Sequence, residues 1–234
     1  MKRFWDEARV AETEGGFAVL LDGRPMRLPG GGPLALPGQR LAEAVAAEWQ
    51  AAGGAKGGTM RPEDVPLTRL AGTALERVAA AEAGTVAAIA RYGETDLLCY
   101  RAENRHLAAR QAAEWDPWLG WSARALDAPL RVTTGLMPVS QAPQALAALH
   151  RAVAAHDRFG LAALGVAVPA LGSLVLGLAV VGGHLAPEEA HRLSSLEEDF
   201  QEEFWGVDPD SAIRRGHHAA DVALAARLMA LLAA

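Results

Sequence analysis

The stretch Glu14-Gly15-Gly16-Phe17-Ala18-Val19-Leu20-Leu21-Asp22-Gly23-Arg24-Pro25 decides the fold class. An unbroken apolar run, Phe17 to Leu21, lies between Glu14-Gly15-Gly16 and Asp22-Gly23. So short a run between two turn signals predicts a strand rather than a helix. Arg24 to Leu28 then returns antiparallel, and Pro29-Gly30-Gly31-Gly32-Pro33 closes the next bend. Residues 3–36 therefore read as a β-meander. A sheet this small needs a covering element. The following segment supplies one: Leu41, Val45, Ala46 and Trp49 line one face of a helix that follows Pro37 and stops at Gly53-Gly54.

The glycine-rich run 53–58 reads as a flexible seam. It divides the chain into residues 1–58, a β-meander with one packing helix, and residues 59–234, a helical domain. Helical periodicity runs from Leu67 to Ala80, from Glu82 to Tyr92 and from Asn104 to Trp115, with a bend or restart at Pro117. Trp115, Trp118 and Trp121 form one ridge, expected in the core. Leu130 to Thr134 is a single extended piece, followed by a helix from about Pro143 to Asp157. From Phe159 to Gly183 no side chain is charged. Pro169 and several glycines interrupt that segment, so it reads as two buried helices broken near Pro169 rather than a membrane span, with Gly172 and Gly177 allowing close packing. Asp208-Pro209 starts the last helix. The expected class is α+β: a small N-terminal antiparallel β-rich domain followed by a larger all-helical domain.

Composition excludes several functions. The net charge of the 234 residues is −6, and no basic stripe offsets it, which argues against a nucleic-acid partner. The single cysteine, Cys99, rules out an internal disulfide and a cysteine-cluster metal site. Its apolar setting raises its pKa rather than activating it. The seven histidines are scattered, with no zinc-helix pair, and no phosphate loop, dinucleotide fingerprint or serine elbow occurs. No metal, no cofactor and no catalytic residue is expected. The N-terminus carries neither a secretory nor a transit-type segment.

One surface stands out. In Ser194-Ser195-Leu196-Glu197-Glu198-Asp199-Phe200-Gln201-Glu202-Glu203-Phe204-Trp205-Gly206, helical spacing puts Leu193, Leu196, Phe200 and Phe204 on a core-facing stripe. Glu198, Gln201, Glu202 and Trp205 then share the opposite face. The stretch holds five carboxylates and no basic residue. An aromatic among acids that lack a local counter-charge reads in two ways: as a solvated acidic helix with Trp205 tucked against a neighbour, which composition alone favours, or as a docking face. Elsewhere Thr68 with Arg69, Asp96, Tyr100 with Arg101, Arg110, and Trp115 with Asp116 are polar residues in unusual settings. Structural ion pairs or helix caps account for Asp96 and Asp116.

Arg3-Phe4-Trp5, Leu21-Asp22-Gly23-Arg24-Pro25, Glu48-Trp49, Pro66-Leu67-Thr68-Arg69-Leu70, Thr95-Asp96-Leu97-Leu98-Cys99-Tyr100-Arg101-Ala102-Glu103, Arg110-Gln111, Trp115-Asp116-Pro117, Gly172-Ser173 and Leu196-Glu197-Glu198 with Gln201 and Trp205-Gly206 follow one another in order. Together they resemble the ATP synthase assembly chaperones that bind the alpha subunit of the soluble catalytic head. The chain departs from the family pattern at Glu197, usually aspartate, and at Gly72, usually asparagine. The resemblance implies a non-enzymatic role: shielding the unassembled alpha subunit of the F-type ATP synthase until the beta subunit replaces it. It implies Glu198, Gln201, Glu202 and Trp205 as client contacts, and Trp49 as the residue holding the strand domain to its helix. Without a presequence, a bacterial cytoplasmic protein with no stable membrane insertion is expected. The alternative is a hydrolase or transferase using the carboxylates of the acidic helix, which pairing of Glu198 with Glu202 in a deep cleft would favour.

Overall fold

The computed structural model describes residues 1–135 and 137–233. The predicted strand is the centre of its sheet. Strand β1 (Ala8–Thr13) pairs antiparallel with β2 (Gly16–Leu21), in register from Ala8 opposite Leu21 to Thr13 opposite Gly16. The other edge of β2 is shared by two short strands. Strand β3 (Arg24–Pro25) pairs with Leu20 and Leu21, and β4 (Ala35–Leu36) pairs with Phe17 and Ala18. The meander's third strand is thus split, because the Gly/Pro loop between the halves turns Leu28 and Leu34 inward to be buried. Gly16 lies at φ +119°, and a Cβ there would sit 2.4 Å from the Leu36 carbonyl oxygen, so only glycine lets β4 close on β2.

Helix α1 (Gln39–Ala51) covers this sheet with Leu41, Ala42, Val45, Ala46 and Trp49, as its periodicity predicts. Trp5 is fully buried with its ring centre 5.0 Å from that of Trp49, and its Nε1 donates to the Trp49 carbonyl at 3.1 Å. Residues 53–58 are not a loose seam. Gly53, Gly54 and Gly57 take positive φ and wrap the backbone round Arg3. The Arg3 guanidinium, itself buried, donates to the carbonyls of Trp5, Asp6, Gln50, Ala52 and Gly54. The glycines supply left-handed backbone that turns carbonyls toward one cation, which composition alone reads as flexibility.

Helix α2 (Pro66–Gly72) passes into a π-helical turn over Thr73–Val78. The Glu48 carboxylate caps α2, accepting from Leu67 N at 2.7 Å and from Thr68 N and Oγ1 at 3.1 Å, while Trp49 Nε1 donates to that hydroxyl at 2.9 Å. Burial raises the Glu48 pKa in spite of the three hydrogen bonds that oppose the rise. A carboxyl whose folded pKa is raised stabilises the fold fully below its unfolded pKa, and the benefit fades as pH rises through the folded value. The stability of the protein minus that of Glu48→Gln should therefore fall as pH climbs from the acid side of the glutamate range toward neutrality. Urea titrations of both proteins across that range check the sign.

The chain divides into two compact units, Met1–Ala81 with Arg227–Ala234, and Glu82–Ala226. The second unit holds α3 (Glu82–Ala90), α4 (Arg105–Ala125), α5 (Pro143–Ala154), α6 (Arg158–Leu171), α7 (Leu174–Val181), α8 (Pro187–Ser194), α9 (Leu196–Trp205) and most of α10 (Pro209–Leu232). Asp208 caps α10 by accepting from Ser211 N at 2.9 Å. The predicted extended piece forms β6 (Thr133–Thr134), parallel to β5 (Tyr100–Arg101). An α+β architecture, with a small N-terminal antiparallel sheet followed by helices, is what the sequence predicts.

Both prolines expected to break helices lie inside them. Pro117 and Pro169 are exposed, as are Ala113 and Gly165, whose carbonyls they leave without a helical donor, so the prolines are tolerated on the solvent side of their helices. The apolar segment breaks at Gly172, which takes a left-handed φ of +61°, and Ser173 then caps α7. Gly177 performs the packing role predicted for it: a Cβ would sit 2.5 Å from Val168 Cγ2, so α6 and α7 meet over bare backbone. Every residue of α7 is buried. Among the described residues no helix is long and apolar enough to cross a membrane.

Candidate functional site

The acidic stretch is not one helix with its neighbour upstream. Ser195, at φ −93° and ψ 5°, separates α8 from α9. Leu193 and Leu196 are buried as predicted, but the core-facing stripe ends there. Phe200 is half-buried and Phe204 is 67% exposed, which corrects the expectation that both face the core. The interruption re-aims α9 so that only its first turn enters the apolar interior. Its C-terminal half carries Trp205, 82% exposed, and Phe204, with Val207 and Ile213 exposed nearby in sequence. The three aromatics form a chain, with ring centres 5.2 Å apart for Phe200 and Phe204 and 6.3 Å for Phe204 and Trp205. Gly206 ends α9 at φ +80°.

The acids have partners that the local sequence does not contain. Arg215 of α10 donates to Asp199 Oδ1 at 2.8 Å and Glu202 Oε1 at 2.6 Å, and its Nε lies 3.9 Å from Glu198 Oε2. Arg214 reaches Glu198 Oε1 at 3.3 Å and Ser211 Oγ at 2.8 Å. On the other flank Arg110 of α4 meets Glu203 at 2.6 Å. These guanidinium groups strap α9 down by its charged side, while its aromatic end stays in solvent. Arg215→Ala should loosen α9 by about 1–2 kcal/mol, because the side chain makes two charged hydrogen bonds in a partly shielded setting. Faster amide exchange within residues 196–205, with α6 and α7 unaffected, is the expected reading.

Glu198, Gln201, Glu202 and Trp205 are brought together: all four line one open pocket of about 310 Å³, with Gly206, Asp208, Ser211 and Arg214 completing it. Sequence reading missed Asp208, Ser211 and Arg214, which lie beyond the helix stop, although their spacing at the start of a capped helix was visible. Glu198 faces Arg214 and Glu202 faces Arg215, charge pairs of the kind that hold helices together, while the third carboxylate of the pocket, Asp208, caps α10. Among the described residues, no three His, Cys, Asp or Glu side chains gather as a metal site.

The other singled-out residues sit apart from this pocket. Trp49 and Thr68 meet through a hydrogen bond in the first unit, where Arg69 is exposed. In the second unit Asp96 is fully buried and accepts from Leu98 N at 3.0 Å, Ser173 Oγ at 2.8 Å and Val175 N at 3.0 Å. It thereby caps the turn at Leu97–Cys99 and the start of α7 together. Burial raises its pKa against those bonds. Arg101, also buried, donates to the carbonyls of Leu98 and Tyr100, pairs with Asp116 at 2.5 Å and lies over the Trp115 ring. Trp115 Nε1 in turn donates to the Leu193 carbonyl at 3.0 Å. Cys99 is buried in this knot, and desolvation pushes its thiol up to about 12. The run from Thr95 to Glu103 is a structural junction.

The profile of the family described as ATP12 chaperone protein matches residues 2–123. Atp12 of Paracoccus denitrificans, whose crystal structures include one point variant, superposes with a TM-score of 0.92 at 44% identity, covering 98% of this chain and 97% of that one. The Atu1473 protein of Agrobacterium tumefaciens gives a TM-score of 0.92 at 35% identity, over 99% of this chain and 86% of that one. The curated mitochondrial protein atp12 of Schizosaccharomyces pombe is 24% identical, over 90% of this chain and 75% of its own length.

Proposed function

The chain belongs to the ATP12 chaperone protein family, and from that premise we propose that it is an ATP synthase assembly chaperone that holds the unassembled alpha subunit of the catalytic head. One observation carries the site: Trp205, 82% exposed beside Glu198, Gln201 and Glu202, is an aromatic anchor with a polar rim and no intramolecular role that burial would reveal. Permanent subunit interfaces commonly bury about 2,000–5,000 Å² of largely apolar surface. An unassembled subunit exposing such a surface self-associates. A chaperone covering it with a smaller patch binds more weakly than the true neighbour and is displaced by it. Exchange then follows from competing affinities, with no bond made or broken.

We place this activity in the bacterial cytoplasm, in keeping with the likeness to two bacterial proteins. A non-enzymatic role agrees with the pairing of Glu198 with Arg214 and of Glu202 with Arg215, the contacts of a structural strap. Co-expression tests the proposal. Alpha subunit produced with this chain should remain in the supernatant after centrifugation, and alpha subunit produced alone should pellet. Equal pelleting in both cases contradicts it.

A further inference from the structure

The first unit carries an open groove of about 690 Å³ on the side of α2. Its floor is aliphatic: Leu28, Leu34, Met60 and Val65 are buried side chains, and Met26 is half-buried. Its mouth is basic. Arg27, Arg61, Arg69 and Arg77 are all exposed on the lining, and among the described residues none of them forms an ion pair. The one carboxylate on the lining, Glu76, is engaged by the Gly30 N–H at 2.7 Å. In a chain of net charge −6, four guanidinium groups round an apolar floor form a local reversal of sign.

The wall of the groove is irregular. Arg69 lies on α2, and Thr73, Glu76 and Arg77 lie in the π turn at Thr73–Val78 that continues it. Such turns cost helix geometry and recur at functional positions. Gly72 stands on the same wall; a Cβ there would lie 3.2 Å from Leu28 Cδ2, so the missing side chain keeps the groove wide.

From the charge complementarity we infer that this groove is a second docking site, taking a peptide segment of a partner protein in which carboxylates alternate with aliphatic side chains. Arginine forks bind carboxylates in pairs of parallel hydrogen bonds, and flexible methionines adapt to differing apolar side chains. The one aromatic on the lining, Trp49, is buried with its Nε1 donated to Thr68, so the groove offers no exposed ring on which a nucleic acid would stack. The groove's sign is opposite to that of α9, so it selects a different kind of segment. The inference is independent of which protein the α9 patch holds.

Fluorescence anisotropy of the whole chain with a labelled synthetic peptide of alternating Glu and Leu provides the test, with a Lys–Leu peptide as control. The acidic peptide should bind and the basic one should not, and added salt should weaken the binding. Arg69→Glu combined with Arg77→Glu should reduce affinity about tenfold or more. Gly72→Leu should do the same by filling the groove with every charge kept, and melting curves identify any variant that has not folded. Equal binding of both peptides, binding unchanged in both variants, or binding of a free anionic amphiphile such as dodecyl phosphate with none of the peptide would overturn the inference. No alpha subunit enters the assay, so its failure is separable from failure of the client reading.

Discussion

Asp96→Ala is expected to cost the helical unit about 3–6 kcal/mol. The substitution removes one side chain but orphans three donors, Leu98 N–H, the Ser173 hydroxyl and Val175 N–H, all buried. Each unsatisfied buried donor costs about 1–3 kcal/mol, and relief of the carboxylate's own desolvation offsets only part of that. Since folded domains hold roughly 5–15 kcal/mol in total, much of the variant would be unfolded at modest denaturant concentrations. Asp96→Asn keeps an acceptor oxygen of the same shape and should lose about half as much or less. Urea unfolding followed by circular dichroism should rank the proteins wild type, Asn, Ala. An alanine variant within about 1 kcal/mol of wild type would mean that Asp96 does not hold α7 in place.

The second large effect concerns binding and leaves stability alone. Trp205→Ala should weaken capture of the alpha subunit by about 2 kcal/mol or more, some thirtyfold, the range of an interface anchor. Its melting curve should match wild type, because an 82% exposed ring contributes little to packing. Glu198→Lys should also weaken capture, by placing a third positive charge beside Arg214 and Arg215. Trp205→Phe should retain part of the affinity. Loss of capture accompanied by an equal loss of stability in Trp205→Ala would mean that the ring is part of the fold.

The features that sequence revealed depend on neighbours along the chain. The strand at Phe17 to Leu21 is bounded by its own turns, α1 declares itself through Leu41, Val45 and Trp49, and Asp208-Pro209 is a local cap. Asp96 was legible as a cap, but it also caps α7, accepting from Val175 N 79 residues later. What was hidden is held by distant partners. Arg215 lies 13 residues beyond Glu202, and Arg110 lies 93 residues before Glu203, so an acidic stretch read alone looked unpaired. The turn at Ser195 carries no proline or glycine, and without it the periodicity places Phe204 in the core. The glycines of residues 53–58 look flexible until Arg3 is found at their centre. The four client-contact candidates, by contrast, follow from i, i+3, i+4, i+7 helical spacing over about two turns after the break, and the structure brings them to one pocket.

Hydrogen–deuterium exchange of this chain, alone and mixed with purified alpha subunit, tests the central claim most directly. The account predicts slowed exchange in residues 196–214 on mixing, with the buried α7 unchanged. Exchange in that segment that stays the same while the two proteins co-elute, or no co-elution at all, would contradict it.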